Sequence, residues 1–338
     1  MCYLVEVFSL TSDFTINRNK NHSNRMMPMY LVVKVTERHQ LEQLGSKPKF
    51  WFHDETSDIQ TLCKAGRSGT GENWAEKVAF ELARLIGLPS AGYELATWQN
   101  QQAVVSASFV PENGRLVHGN EILAKVAQGY DENQAFQLRQ YRLDTVMALL
   151  RHWQTKEIVR LPIGYEPTID EGLHDVSGLF VAYLMFDCWI GNQDRHDQNW
   201  GVVLDYTEKV GKGFLAPSFD HASSLACRLA AEEKKMRLTT RDAGYSVEAF
   251  ARKAKTPFFN HDGSQRLKSL ECFRHAAILS KKQARVRQWM DRLAAVGQES
   301  IAGILEQIPA EFGMDEITVE FTLRYLQANR NLILDVTL

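Results

Sequence analysis

The chain has 338 residues, 44% of them hydrophobic and 24% charged, with a formal net charge of −2. That length suits roughly two lobes of about 150 residues each, with enough core to stand without disulfides or metals. The near-neutral charge argues against direct nucleic-acid binding, no apolar run nears the ~18 residues of a transmembrane segment, and the five scattered cysteines lack zinc spacing and read as reduced thiols of a cytoplasmic protein.

The opening MCYLVEVFSL lacks the basic flank and small-residue cleavage site of a secretory leader. With the polar stretch that follows it, residues 1–28 read as a disordered extension. Strands are predicted over 30–36 (YLVVKVT), 48–53 (PKFWFH) and 59–64 (IQTLCK), the last two joined by a polar turn from His53 to Ser57. A loop dense in Gly and Ser, GRSGTGEN, comes next. Trp74, Val78, Leu82 and Leu85 then recur at spacings of three and four, and Gly87 with Pro89 closes this helix. Two more strands are expected over 92–98 and 102–110.

From about residue 115 helices dominate, over 121–126, 133–152, 175–190, 268–275, 281–295, 298–307 and 316–332. His118-Gly119-Asn120-Glu121 reads as the turn into the first of them, with Asn120 as N-cap. The exception is a hairpin over 201–219, in which GVVLD and GFLAPSF flank a turn at Gly211-Lys212-Gly213. A small strand-rich lobe ahead of a larger helical one is an α+β arrangement, and clefts between such lobes favour small ligands.

The densest chemistry lies in Ile190-Gly191-Asn192-Gln193-Asp194-Arg195-His196-Asp197-Gln198-Asn199-Trp200-Gly201, a polar loop between an apolar helix and a strand. Asp194 and Asn199 are five residues apart, the D-x-x-x-x-N spacing of kinase catalytic loops. The carboxylate can take a proton from an attacking hydroxyl, and the amide oxygen is a hard ligand suited to Mg²⁺. Asp220, at the end of the hairpin's second strand, would come beside Asn199 as a second metal ligand if the hairpin folds back. Asp187 lies in the apolar helix, where a carboxylate needs a partner, and reads as a brace for the loop.

GNQDRHDQNWG followed by SFDHASSL resembles the catalytic and metal-binding segments of HipA-like kinases, and a related pattern occurs in phosphatidylinositol 3/4-kinases. LGSKPKFWF, LCK and GTGENWAEKVAFELARLIGLP resemble the ATP-binding lobe of short HipA-like proteins. The resemblance spans roughly residues 41–225. It implies a bilobal protein-kinase-like fold, with a small strand-rich N-lobe over 29–112 and a larger, mostly helical C-lobe over 113–338. It implies ATP and Mg²⁺ as cofactors, Asp194 as catalytic base, and Asn199 and Asp220 as metal ligands. Lys64 corresponds to the strand lysine at the α/β-phosphates, and Glu76 to the helix glutamate that pairs with it, with Glu72 and Glu81 as competitors for that role. Gly45-Ser46-Lys47 resembles the phosphate-covering loop, although an ordinary turn fits Gly45-Ser46 as well. His196 orients the loop beside Asp194. The backbone of 106–110 forms the adenine hinge, where Phe109 either lines the pocket or belongs to the core. Arg195 either contacts a phosphate or lies on the surface.

Two departures stand out. Full-length HipA toxins carry a sizeable small-lobe extension before the phosphate loop, where about forty-five residues stand here, so that part is absent or supplied by a partner. Their regulatory serines precede the loop glycine, where this chain has Leu41-Glu42-Gln43-Leu44. The expected acceptor is a hydroxyl of a cellular protein, with an antitoxin as a possible partner. A phosphoinositide or small-molecule acceptor is the alternative, for which the basic run from Lys281 to Trp289 would serve as a lipid-facing surface. A nucleotide-binding pseudokinase is the third reading.

Overall fold

Strand-forming residues between 32 and 107 build one five-stranded sheet in the computed structural model, which describes residues 29–36, 48–54, 57–131, 138–167, 175–207 and 212–338. The expected extension over 1–28 and Gly45, Ser46 and Lys47 lie outside the described residues. Strands β1 (Val32–Val35), β2 (Lys49–Asp54), β3 (Ile59–Ala65), β4 (Glu94–Trp98) and β5 (Gln101–Ala107) stand in the order β1-β4-β5-β3-β2. The β1–β4 pair is parallel and the other pairs are antiparallel. Alternation divides the side chains between two faces. Phe50, Cys63, Ala96, Trp98 and Val105 form one small core, while Leu95 and Val104 join the main core with Trp74, Val78 and Leu82 of helix α1 (Glu72–Leu85). Lys64 pairs in register with Val104, which puts its side chain on the α1 side of the sheet.

The larger lobe contains β6 (Gly114–His118), α2 (Gly119–Val126), α3 (Leu143–Thr155), β7 (Val159–Arg160), α4 (Val176–Ile190), β8 (Gly201–Asp205), β9 (Lys212–Leu215), α5 (Ala231–Thr239), α6 (Val247–Ala251), β10 (Lys255–Phe259), β11 (Arg266–Lys268), α7 (Ser269–Ser280), α8 (Gln283–Ala295), α9 (Gln298–Glu306) and α10 (Glu316–Leu334). Every residue of α4 is buried, as its lack of a polar face demands. Asp175 caps its start by accepting from the backbone N–H groups of Ser177 and Gly178. Gly191 ends it at φ 65°, where a Cβ would lie 2.1 Å from Tyr325 Oη, so a side chain is excluded by space as well as by backbone angle. The loop that follows is thereby aimed at one place. Among the described residues, no helix is long and apolar enough to cross a membrane.

The two-lobed α+β arrangement agrees with the expected fold, but several details differ. The large lobe carries more strand than expected: a four-stranded sheet ordered β6-β8-β9-β7 and a β10–β11 ribbon. Strands of two to five residues are too brief to show a period in sequence. Helix α3 starts at Leu143 rather than near 133; residues 132–137 lie outside the described set, and Tyr141 and Arg142 bond to the β10 region instead of entering the helix. The N-cap of α2 is His118, not Asn120, because the Glu121 carboxylate turns back to accept the His118 N–H at 3.1 Å. Helices α5 and α6 were not expected; α5 is dominated by charge and α6, at five residues, is too short to show an apolar period. The turn at Gly211 lies outside the described residues. Cys63, Cys188, Cys227 and Cys272 are buried thiols, and burial pushes those of Cys63 and Cys188 up to about 12.

Candidate active site between the lobes

Lys64 stands where the two lobes meet. Its Nζ donates to Glu76 Oε1 at 2.8 Å and to Asp220 Oδ1 at 2.6 Å, joining a strand, a helix and the end of the hairpin. Glu76 is only 1% exposed, and its second oxygen accepts the His221 N–H at 2.7 Å. Burial alone would lower the Lys64 ammonium, but Asp220 and Glu76 outweigh it and hold it well above the usual lysine range. Burial raises the Glu76 carboxyl, against the pull of Lys64. Glu72 and Glu81, the competitors for the lysine, pair elsewhere: Glu72 with Arg67 and Arg228, Glu81 with Lys77 and Arg84.

The loop after α4 hangs on one buried ion pair. Arg195, 1% exposed, reaches Asp187 through Nε and Nη2, both at 2.7 Å, and Asp187 also accepts from Asn192 Nδ2 at 2.9 Å. Asp187 thus has the partner its position required. Arg195 is not a surface residue; its guanidinium faces inward onto protein partners. It further donates to the Asn199 carbonyl at 2.8 Å, the Phe219 carbonyl at 3.5 Å and Ser218 Oγ at 2.7 Å. One side chain therefore ties the 194–199 turn to the residue before Asp220.

Within the turn, Asn199 Nδ2 donates to the Asp194 carbonyl at 2.6 Å, which leaves the amide oxygen as the end available to a cation. The Asp194 carboxylate is partly exposed and accepts from Ser223 Oγ at 3.2 Å. His196 Nδ1 accepts the Gln198 N–H at 3.2 Å, and its Nε2 stands 3.9 Å from Asp194 Oδ1, a placement that shapes the loop. Phe109, beyond the end of β5, packs on Phe219 with ring centroids 5.6 Å apart, and Phe219 meets the His118 ring edge-on. Phe109 is half-buried and packs against the main core.

Several supporting residues carried no local sequence signal. Tyr130 donates to the buried Asp197 carboxylate at 2.5 Å, and Tyr141 donates to the Arg195 carbonyl at 3.0 Å. Burial raises the Asp197 carboxyl above the usual aspartate range, with Tyr130 pulling the other way. His118 Nδ1 lies 2.7 Å from the Gln198 carbonyl, so the cap of α2 also braces the loop. Burial, with Arg195 alongside, holds His221 well below the usual histidine range. Asp220, Leu225 and Ala226 adopt positive φ of 56°, 58° and 48°, a strained run for non-glycine residues beside the cleft.

The donor set suits a hard cation that brings most of its own ligands. The Lys64 ammonium lies between the carboxylates of Glu76 and Asp220. One carboxylate and one amide oxygen are too few for an all-protein cage but match magnesium held with phosphates and water. Among the described residues no group of three His, Cys, Asp or Glu side chains is arranged for a metal of its own. The basic run from Lys281 to Trp289 is partly turned inward: Lys282 and Arg285 lie 3.7 and 3.9 Å from Asp175, and Trp289 is buried.

No protein-family model matches the chain, and no curated protein matches it in sequence. Solved structures do match in shape. The Helicobacter pylori proinflammatory kinase CtkA superposes with a TM-score of 0.64 at 17% identity, over 90% of this chain and 96% of that one. A chain of the Shewanella oneidensis MR-1 toxin–antitoxin complex of HipA, HipB and operator DNA superposes with a TM-score of 0.51 at 11% identity, over 90% of this chain and 69% of that one. The chain therefore has the bilobal kinase-like fold shared by CtkA and HipA.

Proposed function

We propose that this chain is an ATP-dependent phosphotransferase, a HipA-like serine/threonine protein kinase with its small lobe over 29–112 and its catalytic lobe over 113–338. The observation that carries the proposal is Lys64, a β-strand lysine held between a helix glutamate and Asp220 in the cleft of a kinase-like fold. In this reading Lys64 meets the α/β-phosphates, Glu76 holds it there, Gly45-Ser46-Lys47 covers the phosphates, and the hinge near Phe109 receives adenine. Asn199 and Asp220 would hold Mg²⁺, which when bound offsets phosphate charge. Asp194 takes the proton of the acceptor hydroxyl as the hydroxyl oxygen attacks the γ-phosphorus and the bond to the β–γ bridging oxygen breaks, releasing ADP, and His196 keeps the turn in shape. Catalysis is then mostly positioning and electrostatics.

The acceptor proposed is a hydroxyl of a cellular protein, with an antitoxin as regulatory partner; the HipA match in a HipA–HipB complex supports that direction. The test is a γ-labelled ATP assay with a cell lysate, comparing the natural chain with Asp194→Asn. Labelling that vanishes in the variant, while its unfolding midpoint stays in place, supports the assignment. Equal labelling by both proteins contradicts it.

A further inference from the structure

Resting on the phosphotransfer reading, we infer that Glu72, Arg228 and Ser223 form a positioning relay that sets the Asp194 carboxylate from helix α1. The backbone of Asp194 is fixed inside its own loop, where its N–H donates to Asn192 Oδ1 and its carbonyl accepts from Asn199. Its carboxylate is held from outside, by Ser223 Oγ at 3.2 Å. A serine hydroxyl rotates freely, and its direction is set by whatever occupies its lone pairs. Here Arg228 Nη2 donates into Ser223 Oγ at 3.0 Å, which turns the hydroxyl hydrogen toward Asp194.

Arg228 is itself fixed by Glu72, whose Oε1 lies 2.9 Å from Nε and 2.7 Å from Nη2. Glu72 is 1% exposed, and a carboxylate that buried needs close charged partners. It finds a second one in Arg67, at 2.7 Å from Nη1, and also accepts the Arg67 backbone N–H. Glu72 precedes Glu76 by one helical turn, so the two carboxylates share a face of α1. Glu76 governs Lys64 and Asp220, and Glu72 reaches Asp194 through Arg228 and Ser223. One helix thereby registers the phosphate end and the base end of the cleft together, and a shift of α1 would disturb both.

Ser223 acts through Asp194 and is a positioning residue. The test follows ATP turnover by ADP release with water as acceptor, in the full chain with Mg²⁺, for Ser223→Ala, Ser223→Thr, Arg228→Met and the double variant Ser223→Ala/Arg228→Met. The relay predicts that Ser223→Ala and Arg228→Met each lower kcat about tenfold with KM for ATP unchanged, that the double variant is no worse than the poorer single, and that Ser223→Thr restores turnover. Natural turnover in Ser223→Ala, additive losses, a rise in KM alone, or ³²P found on Ser223 each overturn it, the last by making Ser223 an acceptor. If the natural chain neither turns over ATP with water nor labels any acceptor in the lysate, the phosphotransfer reading fails, and crystal structures of the natural chain and Ser223→Ala then decide the relay. An Asp194 carboxylate that leaves its place in the variant upholds it; an unmoved one overturns it.

Discussion

The loop from Asn192 to Trp200 and the segment from Ser218 to Arg228 meet at Arg195 and at Ser223, but their anchors lie in different lobes. The loop is braced from within the large lobe, by Asp187 of α4, Tyr130, Tyr141 and His118. The segment is gripped across the cleft, by Lys64, Glu76, Glu72 and the Tyr93 hydroxyl, which accepts the Asp220 N–H at 3.2 Å. The backbone of the candidate base and Asn199 therefore sit on a self-supporting platform, whereas Asp220, and through Ser223 the Asp194 carboxylate, depend on the register of the two lobes. Strained backbone at Asp220, Leu225 and Ala226 marks the segment that spans the join.

Substitutions that separate the two kinds of anchor can break or sharpen this contrast. The largest loss is expected from Arg195→Met, which strands the Asp187 carboxylate in the core; the cost is about 3–5 kcal/mol, read by denaturant unfolding. A loss within about 1 kcal/mol would mean that the loop does not depend on that pair. Lys64→Met leaves Glu76 buried without its ammonium, but Asp220 can turn to water, so about 2–3 kcal/mol is expected in the same measurement, together with loss of ATP turnover.

His221 makes the join sensitive to acid. Its folded pKa is depressed below the unfolded value of about 6.5, so the unfolded chain takes up the proton first. Its contribution is complete above that pH and falls as pH drops through it, by up to about 1.4 kcal/mol per pH unit. The difference in stability between the natural chain and His221→Gln, followed from pH 7 to 5, isolates that slope from the carboxylates; parallel curves would remove His221 from the account. The smallest effect is expected from Tyr130→Phe, about 1 kcal/mol, since Asp197 keeps its backbone contacts.

How far the sequence revealed these features follows from the range of the signals. Asp194 and Asn199 share one loop, the hairpin ends at Asp220, and α1 announces itself by its apolar spacing, so the meeting of Lys64 with Glu76 and Asp220 and the shared turn of Asp194 and Asn199 were legible. Asp187 was legible as a carboxylate in need of a partner, because charge in an apolar helix is costly, but which cation answered was not. Arg195 looked ambiguous because a guanidinium in a polar loop has many available directions, and only the packing of α4 turns it inward. The Glu72–Arg228–Ser223 chain left no trace, since its members come from a helix start and a strained turn with no shared motif. Glu72 registered only as a rival to Glu76, and the structure gives it separate partners.

The account stands on Lys64, Asp220 and Asn199 serving a single nucleotide–metal site, and calorimetric titration with ATP, with and without Mg²⁺, tests that most directly. The natural chain and Asp194→Asn should both bind ATP in a magnesium-dependent manner, and Asp220→Asn should weaken that binding about tenfold or more, a change of ~1.4 kcal/mol. Binding that ignores magnesium, or that is equal in the natural chain and Asp220→Asn, would contradict the account.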